Sequence, residues 1–401
     1  MTSGPPSFRS RTALGLTAAA AMGRFELQVC RSCGAVQYPP REACHRCLCC
    51  VLDWRLQPAG AELLSETTLF HSHDEFFRTR LPIRLGLVRL DSGPSAVVFL
   101  DDAVAAPPRR VRLDVRLDRA GQGVLFGFSD GAGVTQMTQS KLLREMSCDP
   151  RGRKVLVTDA ASALGVALVR ALVDAGADTV WAACIPAVTE RSERESPAGA
   201  TPGGLGDLLG ALAPVRFVSL DVMSDDSVQG AADQIASQLD ILINNAESCA
   251  AVAPGTELEA AHAEMDTNYF GLLRLARAFV PALRTRAASA GAAANVPMMA
   301  WVNLLSLYAL TGVSPQSTFA ASKAAAHSFS QAQRAELLPA GVRVINVFPG
   351  PEMAPGALAQ AIVKGLQEGR EDLYPGEVAQ DWLTQWRDNP EGVEREPTTD
   401  R

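Results

Sequence analysis

Two pairs of cysteines near the amino terminus place the strongest constraint on what this chain can fold into. Cys30-x-x-Cys33 and Cys44-x-x-Cys47 are separated by ten residues, and six of the nine cysteines lie within residues 30–50. Two such pairs bring four thiolates to one tetrahedral Zn²⁺ ion, and a closed Cys₄ site leaves no open position for catalysis. The spacing therefore predicts a zinc ribbon with a structural zinc.

Three more residues in the same stretch are alternative ligands, namely His45, Cys49 and Cys50. They break the paired spacing, so we interpret them as residues that pack beside the ribbon. Clustered cysteines in a chain without a secretory signal favour a metal site over a disulfide framework. Free thiols without a metal are the remaining alternative.

The length and charge of the chain limit the number of domains and the kinds of partner that we expect. It has 401 residues, is 47% hydrophobic and carries a formal charge of −7 at pH 7. This length exceeds one ordinary core and predicts two domains. An acidic chain disfavours general binding of nucleic acid, which relies on a basic surface. No apolar run approaches the roughly 20 residues that cross a bilayer, so we expect a soluble, cytoplasmic protein without a membrane partner.

Both ends of the chain have the composition of tails. Residues 1–23 are rich in Ala, Ser and Thr and contain no acidic residue, since the first acid is Glu26. We expect residues 1–23 to form a disordered tail and residues 396–401 to form a second, short tail.

Behind the cysteines, five short runs of β-forming residues alternate with Gly, Pro and Asp turns. Short strands at this spacing predict a small closed barrel. One run, VRLDVRL, alternates apolar and polar residues strictly, so one of its faces is expected to lie in the core. The runs are 61–70, 83–90, 95–100, 111–117 and 123–128.

The ribbon, the Tyr-Pro-Pro-Arg stretch at 38–41 and the barrel together resemble the DUF35 family of rubredoxin-like zinc-ribbon plus OB-fold proteins, over residues 24–130. The resemblance implies a module that binds acyl-CoA or docks a thiolase-type enzyme and has no catalytic groups of its own. An OB-fold also permits binding of single-stranded nucleic acid. We interpret its aromatic residues as barrel core and expect no nucleic-acid partner. The candidate residues for that alternative are Phe70, Phe76, Phe77, Arg78 and Arg80.

After a predicted linker at 131–152, which ends in a helical turn, apolar strands alternate with amphipathic helices over residues 153–395. These elements include a long helix at 257–285 and a strand, AWVNLLSL, at 300–307. The opening segment KVLVTDAASALGVALVRALVDAGADTVWAA has the pattern of a strand, a turn, a helix and a second strand. This alternation predicts a parallel sheet. The predicted fold class is therefore α/β: a small all-β zinc ribbon and OB-fold barrel followed by a Rossmann-type doubly wound parallel sheet.

The order of motifs over residues 153–395 resembles the short-chain dehydrogenase/reductase family. TDAASALG at 158–165 matches the family's Gly-rich turn, Asn268 its helix asparagine, Ser306 its active-site serine and Lys323 its lysine. The resemblance implies a nicotinamide dinucleotide, NAD or NADP, as cofactor. The positions that match the family's cofactor-binding residues are Thr158, Ser162, Gly165, Asp221, Asn244, Asn245, Pro349 and Gly350.

The stretch STFAASKAA at 317–325 departs from the family at its proton donor. Phe319 stands 13 residues after Ser306 and four before Lys323, where the resemblance places a catalytic tyrosine. Phenylalanine cannot transfer a proton, so the general acid/base contribution of about 10²–10⁴-fold is lost. Tyr308 is the rescue candidate, because side chains two apart on a strand share a face, here with Ser306.

Four more departures fall on cofactor positions. Asp159 and Ala163 replace two glycines of the phosphate turn, Glu247 replaces a glycine after Asn-Asn-Ala, and Ala354 replaces a threonine. Asp159 puts a negative charge where a pyrophosphate would approach the helix N-terminus. These changes argue against a bound dinucleotide, and the end of the second strand, WAACIPAV, indicates neither NAD nor NADP. The polar insertion at 189–204 is expected to be a mobile loop.

These patterns lead to one leading hypothesis and two rivals. The leading hypothesis is an accessory subunit of CoA-thioester chemistry, in which the first domain docks a thiolase and the second pairs through its long helices with itself or with an active dehydrogenase. The first rival is an active oxidoreductase on a hydroxyacyl- or ketoacyl-CoA that uses Tyr308 or water as proton donor. The second rival is an OB-fold nucleic-acid protein.

Overall fold

The computed structural model divides the chain into two compact units. The first comprises Met1–Cys148 with two later segments, Ala290–Met298 and Gln367–Arg370, and the second comprises the rest. The main division falls inside the predicted linker, of which residues 131–140 lie outside the described residues. The described residues are 5, 10–130, 141–185, 205–249, 257–290, 298–312, 316–351 and 353–389.

A small antiparallel sheet forms the zinc ribbon of the first unit. Its strands are β1 (Glu26–Cys30), β2 (Val36–Gln37) and β3 (Leu52–Leu56), in the order β2-β1-β3. The register pairs Gln28 with Gln37. Cys30 closes β1 and Gly34 follows with φ +70°, a left-handed conformation that favours glycine, so the chain turns tightly after the first cysteine pair.

Five strands close into a barrel in the order β4-β5-β6-β8-β7. The β6 and β8 pair is parallel, the other pairs are antiparallel, and β4 pairs with β7 to close the barrel. This arrangement confirms the predicted barrel. Alternate residues of the VRLDVRL strand, beginning at Val111, fill its core. The strands are β4 (Gly60–Leu69), β5 (Ile83–Leu90), β6 (Ser95–Leu100), β7 (Arg109–Leu117) and β8 (Gly123–Ser129).

The predicted disordered tail is wrong for residues 11–21. A 3₁₀ turn (Arg11–Ala13) leads into helix α1 (Leu14–Ala21), and Leu16 and Ala20 join the barrel core. The Gly123 amide donates to Thr17 Oγ1 at 3.1 Å. The alanine-rich composition is that of a good helix former, and burial against the barrel supplies the stability that a short isolated helix lacks.

Two short helices complete the described part of the first unit, α2 (Glu75–Arg78) and α3 (Lys141–Met146). The second lies at the end of the predicted linker, where the sequence indicates a helical turn. Its Leu143 and Met146 pack with Phe126 and Phe128 of β8.

The second unit is a seven-stranded parallel sheet in the order β11-β10-β9-β12-β13-β14-β15. Because β9 lies between β10 and β12, the strand order reverses beside it, which confirms the predicted doubly wound topology and puts the ligand crevice at the carboxyl ends of β9 and β12. The strands are β9 (Lys154–Val157), β10 (Thr179–Cys184), β11 (Val215–Ser219), β12 (Ile241–Asn244), β13 (Met299–Leu304), β14 (Val342–Val347) and β15 (Asp372–Leu373).

The helices of the second unit differ from the prediction at one functional position. The predicted long helix at 257–285 consists of α7 (Glu257–Met265), a π-helical turn (Asp266–Phe270) and α8 (Gly271–Ala290). Single π turns inside α-helices occur frequently at functional sites. The other helices are α4 (Ala163–Asp174), α5 (Leu205–Leu209), α6 (Asp225–Ile235), α9 (Ser317–Leu337), α10 (Pro355–Glu368) and α11 (Glu377–Asp388).

No helix in the described ranges combines the length and the apolar character that crossing a bilayer requires.

Candidate functional site

The four paired cysteines form a metal-binding cluster. The sulfur atoms of Cys30, Cys33, Cys44 and Cys47 all lie within 4.8 Å of one another. The Cys30–Cys47 and Cys33–Cys44 sulfur pairs are 3.5 and 3.6 Å apart. Tetrahedral zinc with bonds of about 2.3 Å separates its sulfurs by about 3.8 Å, so the donor set fits a structural zinc.

Backbone amides at the ribbon favour the thiolates that bind the metal. The pKa of the Cys30 thiol is lowered to about 6, with the Cys33 N–H as the largest of several causes. The amides of Cys47 and Arg46 lower the pKa of Cys44. Thiolate is the form that zinc binds, so the backbone favours the binding form of Cys30 and Cys44. At Cys47 the backbone acts in the same direction, but the neighbouring thiols of Cys33 and Cys30 outweigh it and raise the pKa.

The alternative ligands lie outside this cluster in the described chain. His45 Nδ1 is 3.2 Å from Gln37 Oε1, and because that oxygen can only accept, Nδ1 carries the proton. The Cys49 thiol accepts from the Val51 amide, and the Cys50 thiol donates to the Leu48 carbonyl. These contacts match the interpretation that the three residues pack beside the ribbon.

Two buried glutamines, which no local sequence pattern marks, hold the loop that carries the second cysteine pair. Gln28 receives the Arg41 amide at 2.8 Å and donates to the Arg41 carbonyl at 3.0 Å. Gln37 donates to Gln28 and receives the His45 amide, each at 3.0 Å. Glutamines in an amphipathic strand normally face water, and only the register of β1 with β2 indicates that these two meet.

In the second unit, Thr158 ties the end of β9 to the end of β12. Its hydroxyl donates to Asn244 Oδ1 at 3.2 Å and accepts from the amides of Asn245 and Ala246 at 2.8 and 3.0 Å. Thr158 is fully buried. A buried hydroxyl with three partners contributes to the structure of the turn whether or not a nucleotide binds.

The Gly-rich turn keeps its helix cap and its closest packing. Ser162 caps α4 by accepting from the Gly165 amide at 3.0 Å, and it also accepts from Asn245 Nδ2 at 2.9 Å. A Cβ atom on Gly165 would lie 2.3 Å from the Asp159 carbonyl oxygen. Glycine is therefore required at 165 by the approach of the turn to the helix.

Asp159 occupies the turn in a conformation suited to glycine. Its φ is +47°, in the left-handed region that aspartate tolerates better than most residues. Burial raises the pKa of its carboxyl, Ser162 opposes this by hydrogen bonding, and Glu247 adds to the increase. Two acidic side chains thus lie near the turn where the family binds a pyrophosphate.

Lys323 is bound to groups other than a phenol. Its ammonium lies 2.8 Å from Glu247 Oε2 and donates to the Leu304 carbonyl at 3.0 Å. The lysine side chain is 2% exposed and that of Glu247 is 46% exposed. The ammonium is 5.5 Å from the centre of the Phe319 ring. The lysine charge is therefore balanced by a carboxylate beside the position that lacks the tyrosine.

Ser306 lies in a turn instead of a strand. β13 ends at Leu304, and Ser306 caps a 3₁₀ turn (Leu307–Ala309) by accepting from the Tyr308 amide at 3.2 Å. The predicted strand at 300–307 is therefore too long, and the two side chains do not share a face through strand geometry. The chain leaves the sheet after Leu304 and enters the 3₁₀ turn at Leu307.

Tyr308 nevertheless lies next to the position of the missing tyrosine. Its ring is edge-on to Phe319, with 6.4 Å between centroids. Burial raises the pKa of Tyr308, and Cys249 contributes in the same direction. The phenol is consequently protonated at neutral pH and keeps a proton that it can donate.

Asn268 is fully engaged at the π-helical turn. Its Nδ2 donates to the Ser248 carbonyl and to Ser322 Oγ, both at 2.8 Å, and its Oδ1 accepts from the Ser248 amide at 2.9 Å. The asparagine is 3% exposed. It therefore fixes the chain after β12 to the start of α9, next to Lys323.

The remaining predicted positions are Asp221, Pro349, Gly350, Ala354 and the loop at 189–204. Asp221 follows β11 and its Oδ1 receives the backbone amide two residues on at 2.9 Å. The Leu307 amide donates to the Pro349 carbonyl at 3.4 Å, and Gly350 is half-buried. Ala354 is exposed at the start of α10. The predicted mobile loop at 189–204 lies outside the described residues.

Several of the candidate residues for a nucleic-acid surface make contacts within the barrel unit instead. The Arg80 guanidinium carbon lies 3.6 Å from the centre of the buried Phe76 ring, and its Nε is 2.6 Å from Glu145. Arg78 donates to the His73 carbonyl, and Phe70 alone among these aromatics is 77% exposed. A stacking surface that needs Phe76 and Arg80 is therefore not available.

Two family models match the chain. The model described as short chain dehydrogenase matches residues 153–358. The model described as ChsH2, rubredoxin-like zinc ribbon domain, matches residues 17–48 and so includes most of α1. The second match gives the ribbon a name close to the DUF35 resemblance and supports the fusion of the two parts.

Relatives and solved structures agree with the first match. Sulfoacetaldehyde reductase 2 of Chromohalobacter salexigens is 30% identical over 225 residues, which are 55% of this chain and 80% of the relative. The 3-ketodihydrosphingosine reductase of Bacteroides thetaiotaomicron is 32% identical over 147 residues, 35% of this chain and 49% of the relative. A solved short-chain dehydrogenase from Streptomyces avermitilis has 25% identity and a TM-score of 0.50, covering 60% of this chain and 95% of that one.

Proposed function

Since the chain belongs to the short-chain dehydrogenase family over residues 153–358 and carries a ChsH2-type zinc ribbon, we propose that it is an accessory subunit of CoA-thioester metabolism. In this role the ribbon and barrel unit binds acyl-CoA or docks a thiolase-type enzyme. The dehydrogenase unit contributes its fold and pairs through its long helices with a second copy or with an active dehydrogenase.

The observation that carries the proposal is the ion pair between Lys323 and Glu247 beside Phe319. In the family reaction a tyrosine exchanges the proton on the substrate oxygen while hydride moves to or from the nicotinamide. Phe319 has no proton to exchange, and a carboxylate balances the charge of Lys323. Position 319 therefore lacks the family's general acid/base, which is worth about 10²–10⁴-fold in rate.

Charge at the phosphate turn supports the same conclusion. Family members bind a pyrophosphate against the helix N-terminus that follows the first strand. In this chain Asp159 and Glu247 bring two carboxyl groups to that turn. Should NAD or NADP bind, Thr158, Ser162 and Asn245 are the retained residues that would contact it, and the dinucleotide would supply hydride transfer.

Restoring the family residues tests the proposal. With NAD⁺ or NADP⁺ and a hydroxyacyl-CoA, we expect no measurable turnover by the native chain, by Phe319→Tyr or by Glu247→Gly. The double variant Phe319→Tyr/Glu247→Gly is expected to gain activity, because it supplies the phenol and frees Lys323 to lower the pKa of that phenol. Turnover by the native chain at a rate that the double variant does not exceed would contradict the proposal.

Partner binding needs its own measurement. A tagged full-length chain recovered from its native cell is expected to bring down a thiolase-type enzyme, and Cys44→Ser, which removes a ribbon ligand, is expected to lose it. Retention of the thiolase by Cys44→Ser would place the docking surface elsewhere on the chain.

The position of Tyr308 supports a second candidate, an active oxidoreductase. Its protonated phenol lies against Phe319, so it is near the place where a reduced substrate oxygen needs a proton. Tyr308→Phe distinguishes the two functions. If the native chain reduces a ketoacyl-CoA and this variant does not, while binding of nucleotide is unchanged, the accessory function is wrong.

A further inference from the structure

A cavity of about 410 Å³ lies in the first unit between the zinc ribbon and the turn that joins β5 to β6. Tyr38, Arg41, His45 and Arg46 line it on the ribbon side, and Ser95 lines it on the barrel side. Its volume is within the range of about 300–1,000 Å³ typical of sites for small molecules. The space is larger than a single inorganic ion requires.

The two arginines of the cavity carry charge that the described chain does not balance by ion pairing. Other arginines of this unit pair with carboxylates: Arg31 with Asp53 at 2.9 Å and Arg110 with Asp91 at 2.7 Å. Among the residues that the structure describes, no carboxylate forms an ion pair with Arg41 or Arg46. Two arginines therefore line the cavity without a carboxylate partner among the described residues.

The backbone that carries these arginines is held rigidly from behind. Gln28 bonds to both the amide and the carbonyl of Arg41, and Gln37 bonds to the amide and the ring of His45. Both glutamines are at most 6% exposed. A loop fixed before binding loses less conformational entropy when a ligand arrives, which favours affinity.

We propose that this cavity binds a phosphate-bearing ligand of nucleotide size. Arginine forms paired, charge-assisted hydrogen bonds to phosphate oxygens, so Arg41 and Arg46 are the groups expected to hold the phosphate. The half-buried Tyr38 supplies an aromatic wall for the organic part. The CoA form of this ligand rests on the function proposed above, whereas the phosphate site itself does not depend on the missing proton donor, because Phe319 belongs to the other unit.

Calorimetry on the zinc-loaded full chain tests the proposal. The probes are adenosine 3′,5′-bisphosphate, CoA, inorganic pyrophosphate and, without phosphate, adenosine. Arg41→Gln and Arg41→Gln/Arg46→Gln are compared with Arg109→Gln, which removes an exposed arginine elsewhere on the barrel. Zinc content is measured for every variant, because Arg46 lies between two metal ligands in the sequence and its replacement could disturb the metal site. Arg41 lies outside both cysteine pairs, so its single variant tests the cavity with less risk to the zinc.

We expect saturable binding of adenosine 3′,5′-bisphosphate that weakens when salt is added. The affinity should fall by about tenfold in Arg41→Gln and by about tenfold more in the double variant. Arg109→Gln should bind as the native chain does. Tighter binding of CoA than of the bisphosphate would identify a CoA ligand, and equal binding would identify a free nucleotide. Failure of all phosphate probes, equal binding of adenosine, or an equal loss in Arg109→Gln would overturn the proposal. The proposal would also be overturned if Arg41→Gln lost zinc but bound the bisphosphate with native affinity. Arg41 would then stabilise the metal-binding thiolates and would not hold a phosphate.

Discussion

Lys323 of α9 and Glu247 of the segment after β12 form an ion pair of 2.8 Å although 76 positions separate them in the sequence. Each residue departs from, or has lost, its family context: the lysine has no phenol beside it and the glutamate stands where the family has a glycine. Together they satisfy a nearly buried ammonium. The loss of the tyrosine at 319 and the gain of a carboxylate at 247 are therefore coupled through Lys323, and removing the carboxylate alone should be costly.

We expect Glu247→Gln to lower the free energy of unfolding by about 1–2 kcal/mol. The substitution leaves the Lys323 ammonium with the Leu304 carbonyl but without a counter-charge. The partial exposure of Glu247 keeps the effect below the about 3–5 kcal/mol of a fully buried pair. Chemical denaturation measures it. Glu336→Gln, which breaks an exposed pair with Arg284, is the control and should change stability by less than about 0.5 kcal/mol. Equal changes in both variants would contradict the coupling.

The packing of the Gly-rich turn leads to a second prediction. Gly165→Ala places a Cβ 2.3 Å from the Asp159 carbonyl, and relief of that overlap requires a backbone shift that costs about 2–3 kcal/mol. Gly230→Ala in α6 is the matched control, because nothing lies within 4 Å of its added Cβ. That variant should be up to about 1 kcal/mol more stable, since alanine favours helix. Thermal unfolding of the two proteins separates the effects, and a stable Gly165→Ala chain would show that the turn is more adaptable than its packing indicates.

The parts of the structure that the sequence predicts are those determined by neighbouring residues. Cys30 and Cys33, or Thr158 and Gly165, carry their geometry in local spacing, so the ribbon and the turn are correctly placed. Alternation of strands and helices likewise predicts the sheet. For Glu247 the sequence indicates only the loss of a glycine, because its partner Lys323 is supplied by the packing of α9 against the ends of the strands.

The errors have the same physical origin. Leu16 and Ala20 belong to a stretch whose composition resembles a tail, and only the barrel surface gives them a reason to be helical. Gln28 and Gln37 are polar residues in short strands, and their burial follows from the strand register and from the loop that covers them. Tertiary contacts outweigh local preference at these positions.

Metal content tests the assignment of the zinc ligands. The native chain should contain about one zinc ion, because four thiolates bind a single tetrahedral ion. Cys44→Ser removes a buried ligand and should lose the metal, together with the order of the ribbon. Cys49→Ser alters a cysteine outside the cluster and should retain it. Elemental analysis of purified protein provides the measurement. Loss of zinc from Cys49→Ser, with retention in Cys44→Ser, would mean that the ligands are assigned incorrectly.

The carboxyl group of Asp159 should make stability depend on pH in a definite direction. Burial raises its pKa in the folded state above the ordinary value of 3.8, so the folded chain binds this proton more tightly than the unfolded chain does. Its contribution to stability is therefore fully present below pH 3.8 and is lost as pH rises through the folded pKa. Asp159→Asn removes the charge, leaves the backbone carbonyl that accepts from Ser162 Oγ at 2.9 Å, and suits the left-handed φ.

We accordingly expect Asp159→Asn to melt at a higher temperature than the native chain at pH 7, and the difference to shrink as the pH approaches 3.8. The same variant removes a negative charge from the phosphate turn, so binding of NADPH should strengthen at pH 7. Asp381→Asn, at an exposed site on α11, should show neither effect. A melting temperature for Asp159→Asn that exceeds the native value equally at both ends of this range would mean that burial does not penalise the charge of Asp159. The substitution would then act through the backbone of the turn alone.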